Sequence, residues 1–321
     1  MVKVTDIPGI KVGHAQNTMA ATGCTVILCP EGATGGVDVR GGAPGTRETD
    51  LLNPVNYVDK VHAVLLAGGS AFGLDAAAGI MQYLEEQGSG FDVGVTKVPI
   101  VTGAVLFDLN CGDYRIRPDK SMGYAACLAA RQELAEGSVG AGTGATVGKI
   151  FGMQHAMKGG IGAACLTTGK LMVGAIIAVN CLGDVVNPVD GTIVAGAFKE
   201  EPFAFLRCED GLLAEQPGAV NRFAGNTTIG AVITNAVLTK AQAAKVASMA
   251  HNGYARTIRP AHTLFDGDTI FALGTGLVSA DINMVGVLAA RAVEQAVLRA
   301  VIQATALAGF KGCSDVVSQV T

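Results

Sequence analysis

The sequence predicts an α+β protein in which helices cover stacked, buried sheets, and three observations lead there. Half of the 321 residues are apolar and only 16% are charged, which excludes a disordered chain, because disorder needs low hydrophobicity and high net charge. Short apolar runs alternate with helical stretches, but without the regular strand–helix–strand rhythm of a parallel sheet. The helical stretches are rich in alanine, and few large side chains separate them from what they cover. A chain of this length supports one large core or two merged ones. No domain boundary and no internal repeat is visible, so residues 1–321 read as a single domain.

The first candidate strand is Cys24–Cys29 (CTVILC) and the second is Gly36–Arg40 (GVDVR). Ala63–Leu66 is a third, and the run through Gly69 leads into a helix near Gly73–Glu86 with Asp75 in its first turn. Val93–Val101 reads as a strand and Tyr124–Leu134 as a helix. Val173–Asn180 and Thr228–Thr234 are strongly apolar strands, and Ile270–Leu273 is another buried one. Helices fit Lys240–Asn252 and a long segment from about Asp281 to Leu307, whose apolar faces are interrupted by Arg291, Glu294 and Arg299. The stretch Phe198–Asn226 differs. It is charged and turn-rich, and reads as a long exposed loop feeding the strand after it, a place where a protease or the chain itself can cut without disrupting the core.

Composition narrows the partners. The net charge is −4 and no Lys/Arg run exceeds two residues, so there is no basic stripe to neutralise nucleic-acid phosphates. Aromatic residues make up 5% and tryptophan is absent, which argues against base-stacking platforms. A small substrate is expected instead. The eight cysteines show no C-x-x-C pair and sit mostly in apolar runs, which fits reduced structural thiols. The opening MVKVTDIPGIKVG lacks the apolar core of a signal peptide, and no uncharged apolar run approaches the roughly 20 residues of a membrane span. The expectation is a soluble, cytoplasmic protein without a membrane partner.

Several motifs fail on inspection. In Val139–Ile150 (VGAGTGATVGKI) a phosphate loop ending at Gly148-Lys149 would need glycine where Thr143 stands and a hydroxyl residue where Ile150 stands. A dinucleotide fingerprint from Gly142 meets Val147 where glycine is needed, and from Gly140 it fits loosely, but no apolar strand precedes it. Tight turns and close backbone packing are the better reading. Gly68–Gly73 (GGSAFG) sits where a nucleophile elbow would, yet Phe72 replaces its second glycine, so Ser70 is a poor nucleophile candidate. The five histidines have no paired spacing, and neither a metal nor a cofactor is expected.

Asn226-Thr227-Thr228 is the informative junction, between the charged stretch and an apolar strand. A threonine hydroxyl needs a base beside it to act as a nucleophile. The α-amine of an N-terminal threonine can be that base, since its pKa lies near 8, but it exists only after the preceding bond is cut. The plain alternative is a hydroxyl pair that starts a strand. Other polar residues stand among apolar neighbours. Asn180 ends an apolar run with an amide able to donate to an oxyanion. Lys149 follows the glycine-rich segment, and Asp266-Gly267-Asp268 precedes a buried strand. Each has an ordinary reading too: a strand-end Asn, a solvated Lys, an Asx turn.

Read together and in order, these stretches resemble the DmpA-like L-aminopeptidase/D-esterases, with the nylon-oligomer hydrolases among them. The resemblance runs through PGIKVGH (Pro8–His14), VDVRGGAPGTRETDLL (Val37–Leu52), LLAGGSAFGLDAAAG (Leu65–Gly79) and VPIVTGAVLFDL (Val98–Leu109). It continues in GTGATVGK (Gly142–Lys149), AVNCLGDVVNP (Ala178–Pro188), NTTIGAVITNA (Asn226–Ala236) and HTLFDGDTIFALGTG (His262–Gly276). It implies an αββα sandwich like that of N-terminal-nucleophile hydrolases, with different strand connectivity. It also implies self-cleavage between Asn226 and Thr227 into chains 1–226 and 227–321 that stay together. By the same resemblance Thr227 is the nucleophile and Asn180 the oxyanion-stabilising amide. Lys149, Asp266 and Asp268 match the Lys and paired acids around the nucleophile in the nylon-oligomer branch.

Two departures bear on the substrate. The aminopeptidase branch tends to carry Ser-Gly-Glu where this chain has Asp266-Gly267-Asp268. Near Phe107, relatives can present a tyrosine hydroxyl that phenylalanine lacks. The expected activity is hydrolysis of short peptides, amino-acid amides or esters through an acyl-enzyme. An ω-amino-acid oligomer hydrolase is the alternative, and a non-catalytic ligand-binding scaffold is the alternative of another class. The family and the apolar composition point to a homo-oligomer, with a tetramer as the first expectation.

Overall fold

The computed structural model describes residues 2–131, 133–214 and 225–317. Nine of its strands join in one sheet: β1 (Lys11–Asn17), β2 (Thr22–Val39), β3 (Gly45–Arg47), β4 (Lys60–Ala67), β5 (Val101–Val105), β6 (Gly160–Thr168), β7 (Leu171–Asn180), β8 (Thr227–Ala236) and β9 (Thr269–Val278). Their order is β6-β7-β8-β9-β2-β4-β5-β3, with β1 paired to β2. Four helices cover them: α1 (Ala76–Glu86), α2 (Lys120–Leu128), α3 (Lys240–Thr257) and α4 (Ile282–Ile302).

The 18-residue β2 makes two layers from one ribbon. Its first part, through Leu28, pairs with β1 and β4; its last part, Thr34–Val39, pairs with β9; the register shifts between Leu28 and Ala33. The two halves of the sheet then face each other. Ile27, Val64 and Leu66 from one half share a core with Ile176, Ile229, Ile233 and Phe271 from the other. Alternation along each strand supplies the outer cores, because successive side chains point to opposite faces. Val173, Ala175 and Ile177 of β7, with Val232 and Ala272, pack on Ala243, Val246, Ala250, Ala289 and Val293 of α3 and α4. Val26, Leu28 and Leu65 pack on Ala76, Ile80, Leu84 and Ala126 of α1 and α2. The result is the expected αββα sandwich.

The small residues where sheet and helices meet have a measurable purpose. A Cβ on Gly36 would lie 2.2 Å from the backbone nitrogen of Ala244, and one on Gly162 2.2 Å from the Ala296 carbonyl oxygen. Sheet and helix backbones touch there. Helix α3 begins at a capping box, in which the Thr239 hydroxyl accepts from Gln242 N–H and the Gln242 side chain accepts from Thr239 N–H.

Several sequence expectations are corrected. Cys24–Cys29 and Gly36–Val39 belong to one bent strand, because Gly32, Gly35 and Gly36 let the chain continue where the sequence suggested a break. Val93–Val101 is a hairpin turn with short strands at Phe91–Asp92 and Lys97–Val98, and the buried strand begins only at Val101. The helix expected over Tyr124–Leu134 is α2, which starts four residues earlier at Lys120, behind an Asp119 cap whose carboxylate accepts Met122 N–H, and ends at Leu128. β1 and β6 were not anticipated. The stretch Phe198–Asn226 is not uniformly an exposed loop. It holds strands Phe198–Lys199 and Ala204–Phe205 and a helix Cys208–Leu213, with Phe198 and Cys208 buried; residues 215–224 lie outside the described residues.

Topology decides where chemistry can gather. β7 runs antiparallel to β8, and β8 parallel to β9. The end of β7 and the starts of β8 and β9 therefore meet at one edge of the layer, and Asn180 stands directly opposite Thr227.

Candidate active site

At that edge the bond between Asn226 and Thr227 is buried, with the two residues 3% and 5% exposed. This corrects the expectation of an accessible cutting site: a second protease would not reach the bond without unfolding the strand. The Thr227 hydroxyl lies against the Asn226 carbonyl oxygen. That same oxygen accepts the N–H of Gly267 at 3.1 Å, and Asn226 forms a parallel bridge with Asp266. A hydroxyl and a polarised carbonyl are thus paired within one peptide unit.

Gly267 is placed by the loop on either side of it. The carbonyl of Asp268 accepts from Arg40 and Gly41, and the carbonyl of Asp266 accepts from Ala43 N–H at 2.8 Å. The Asp266 carboxylate turns back to Thr263, taking its N–H at 2.8 Å and its hydroxyl at 2.7 Å. The Asp268 carboxylate takes Thr228 N–H at 2.7 Å with one oxygen, and His262 N–H and Nδ1 with the other. No side chain fits at 267. A Cβ there would lie 2.8 Å from Thr227 Oγ1 and 3.2 Å from Thr227 Cγ2.

The other wall comes from Asn180 and Lys149, both buried. Asn180 does not donate to the Asn226 carbonyl. Its Nδ2 donates to Gly225 O at 2.9 Å and Phe107 O at 3.0 Å, which uses both of its hydrogens. Its Oδ1 accepts from Thr146 N–H at 2.9 Å and Lys149 Nζ at 3.0 Å, so the amide orientation is determined. Lys149 Nζ also donates to Asn180 O at 2.9 Å and to Gly225 O. Three donors meet three acceptors. Phe107 lies beside Gly225 as well, since a Cβ on Gly225 would be 3.3 Å from Phe107 Cδ1 and from Asn110 Nδ2.

Burial shapes the protonation of this cluster. It pushes the Lys149 ammonium down to about 8, against the pull of neighbouring Cys181, Cys111, Asp266 and Asp108. It pushes the Asp266 carboxyl up to about 6, helped by the Asp268 charge and opposed by the Thr263 hydrogen bonds and Lys149.

All the residues singled out from sequence, Thr227, Asn226, Asn180, Lys149, Asp266, Asp268 and Phe107, converge here. Others were missed. Gly267 reads from sequence only as part of an Asx turn, because its contribution here is a backbone N–H, and Thr146 gives no signal for the same reason. Lys158, fully buried, donates to Thr143 O at 2.8 Å and Ala145 O at 2.7 Å and so holds the segment carrying Thr146. Asp108 accepts from Gly69 N–H and the Thr22 hydroxyl, each at 2.7 Å, and anchors the backbone next to Phe107. The GGSAFG segment therefore serves as a support, with Ser70 in a 3-10 turn at a φ of 54°. Among the described residues no group of three His, Cys, Asp or Glu side chains is arranged to hold a metal ion.

Comparison with known proteins places the chain in a family. Residues 3–314 match the sequence profile described as peptidase family S58. An uncharacterized aminopeptidase of Mycobacterium tuberculosis is 43% identical over 98% of this chain and 98% of its own length. A 6-aminohexanoate-oligomer endohydrolase of Paenarthrobacter ureafaciens is 33% identical over 92% of this chain and 84% of its own. The fold is shared with a Burkholderia sp. β-aminopeptidase (TM-score 0.71, 20% identity, 99% and 93% covered). It is shared too with the L-aminopeptidase D-Ala-esterase/amidase of Ochrobactrum anthropi, described as a variant of the N-terminal-nucleophile hydrolase fold (TM-score 0.70, 19% identity, 94% and 86% covered). The chain belongs to peptidase family S58 and is a hydrolase acting on peptide or amide bonds.

Proposed function

We propose that the chain cuts itself between Asn226 and Thr227, and that the freed Thr227 then hydrolyses short peptides, amino-acid amides or esters. One observation carries this reading: the Thr227 hydroxyl rests on the carbonyl of the bond to be cut, and Gly267 N–H is already bonded to that carbonyl oxygen. The Thr227 oxygen attacks the Asn226 carbonyl carbon while Gly267 N–H takes up charge on the oxygen. The C–N bond breaks, the hydroxyl proton ends on the departing nitrogen, and an ester joins Asn226 to Thr227. Water hydrolyses that ester, giving an Asn226 carboxylate and a free Thr227 amine and hydroxyl.

In the divided protein the Thr227 amine takes the proton from its own hydroxyl as the oxygen attacks a substrate carbonyl. Departure of Gly225 and Asn226 frees Asn180 Nδ2 and Lys149 Nζ, whose present grip on the Gly225 carbonyl supports their use on a substrate carbonyl. The bond from Thr228 N–H to Asp268 supports a role for this carboxylate in holding the new ammonium close by. The acyl-enzyme forms, the amine product leaves protonated, and water completes the cycle.

The Asp266/Asp268 pair and the likeness to a 6-aminohexanoate-oligomer endohydrolase support a second reading, hydrolysis of ω-amino-acid oligomers. Aminoacyl p-nitroanilides against nylon-type oligomers separate the two. The eight free thiols support a cytoplasmic location, and the exposed Met19, Val55, Tyr57, Val95 and Val189 support a homo-oligomer. No helix among the described residues is long and apolar enough to cross a membrane.

The decisive measurement is the denatured mass of fresh protein, with N-terminal sequencing of any fragment. A fragment beginning Thr227-Thr228-Ile229 is expected, and Thr227→Ala is expected to remain one chain without hydrolysis. A Thr227→Ala protein that still divides at this bond would show that Thr227 is not the nucleophile. A wild-type chain that stays whole, with Thr227 acylated by no activated ester, would favour a ligand-binding scaffold.

A further inference from the structure

Beside Asp268 three rings pack together. His262, from the loop before β9, lies 4.9 Å from His251 and 6.1 Å from Tyr254, centroid to centroid, and His251 and Tyr254 are 5.4 Å apart. His251 and Tyr254 are fully buried on α3. Each ring carries one buried polar atom with no hydrogen-bond partner among protein groups: His251 Nδ1, Tyr254 Oη and His262 Nε2. Orphaned buried polar atoms are rare in folded proteins, and three on neighbouring rings ask for a common cause.

The tautomers decide what is missing. His262 Nδ1 lies 2.9 Å from the Asp268 carboxylate, which only accepts, so Nδ1 carries a proton, and in the neutral ring Nε2 is then an acceptor. His251 Nε2 lies 2.9 Å from the Asp38 carbonyl, which also only accepts, so Nε2 carries the proton and Nδ1 is an acceptor. Burial holds His251 neutral, its pKa lowered to about 4. Two imidazole acceptors cannot bond each other. The single Tyr254 proton satisfies one of them at most. A small molecule with two donors and one acceptor completes the set, and water has that valence.

We propose that His251, Tyr254 and His262 hold one buried water, and that this centre fixes the His262 ring as the positioning residue for Asp268. The water donates to both imidazole nitrogens and accepts from the tyrosine hydroxyl. The consequence for function rests on the reading of Asp268 given above. His262 grips one carboxylate oxygen through Nδ1 and its own N–H, which leaves the other oxygen aimed at Thr228 N–H beside the nucleophile. His262 adopts a φ of 58°, a conformation that asparagine also tolerates well. Helix α3 thereby reaches the site through a ring–water–ring contact.

The test uses the full chain and three variants. Tyr254→Phe removes only the hydroxyl. If it bonds a water, the melting temperature falls by about 1–3 °C; if it is an orphan, the temperature is unchanged or rises, and the water centre is refuted. His262→Asn keeps a donor near the Nδ1 position and suits the backbone, whereas His262→Phe keeps the bulk without the donor. Self-cleavage is expected within about threefold of wild type for Asn and slowed about tenfold to a hundredfold for Phe, by analogy with the loss of outer partners of metal ligands. Equal rates in the two folded variants would overturn the positioning role. The Tyr254 comparison reads stability alone, so it decides the buried centre whether or not Thr227 is the nucleophile. Failure of the functional reading shows separately, as a wild-type chain that never divides.

Discussion

At the scale of single residues, the site joins a charge that the fold disfavours to contacts that need it. Lys149 meets three acceptors, and the ammonium has three hydrogens where the neutral amine has two. Its pKa falls from an ordinary 10.5 to about 8 on burial. Between those values the unfolded chain binds the proton and the folded one does not, so stability rises with pH across the window. Self-cleavage is expected to move the other way, slowing as pH passes about 8 and the third hydrogen bond is lost. The Thr227 amine does not exist before cleavage and cannot cause that decline. Urea midpoints of undivided Thr227→Ala with and without Lys149→Met, and wild-type cleavage rates, between about pH 7 and 10 check both signs. A Thr227→Ala midpoint that does not rise relative to the double variant would contradict the assignment. Lys149, Asn180, Asp266 and Asp268 were legible because polar residues stood among apolar neighbours and matched a family pattern. His262 and Lys158 were not. A lone histidine in a loop and a lysine after a methionine look like solvated side chains until the fold buries them.

At the scale of elements, strands were legible where apolar runs are continuous, as in β7 and β8, which are buried on both faces. The reading failed where pairing overrides local preference. β6, with its glycines and small residues, is a strand because β7 pairs with it along its length. The loop 266–268 shows the same limit, since its contribution is a backbone group aimed by hydrogen bonds to Arg40, Gly41 and Ala43. This yields a sharp expectation for Gly267→Ala. The added Cβ meets Thr227 Oγ1 at 2.8 Å and the Ala43 carbonyl oxygen at 2.9 Å, so the hydroxyl or the loop must shift. Either shift misaligns the Gly267 N–H with the Asn226 carbonyl. Loss of one such donor costs about 10²–10³ in rate, and a slowing of that order is expected in a time course of fragment formation. Far-ultraviolet circular dichroism should stay close to wild type, because β9 starts two residues later. A variant that divides at the wild-type rate would remove Gly267 from the oxyanion role.

At the scale of the whole molecule, the layering was legible as helices over stacked sheets, and the resemblance supplied its order. What the sequence did not reveal is that one bent strand, β2, belongs to both layers and that the carboxyl-terminal part of the chain is interior to the ribbon. β8 and β9 lie between β7 and β2, and α3 and α4 cover the same half. Residues 227–317 thus contribute two central strands and a helical layer, and share the core between the sheets through Ile229, Ile233 and Phe271. Cutting before Thr227 breaks one covalent bond but none of the pairings of β8 with β7 and β9. Removing the second fragment would expose two apolar cores at about 25 cal/mol per Å² of buried apolar surface, far more than one released chain end gains in entropy. Divided protein is therefore expected to elute under native conditions at the mass of the undivided chain or its multiples. Two fragments should appear only in denaturant, and urea unfolding should report both halves in a single transition. Fragments that separate on native gel filtration would show that the halves fold independently, against the interdigitated sheet described above.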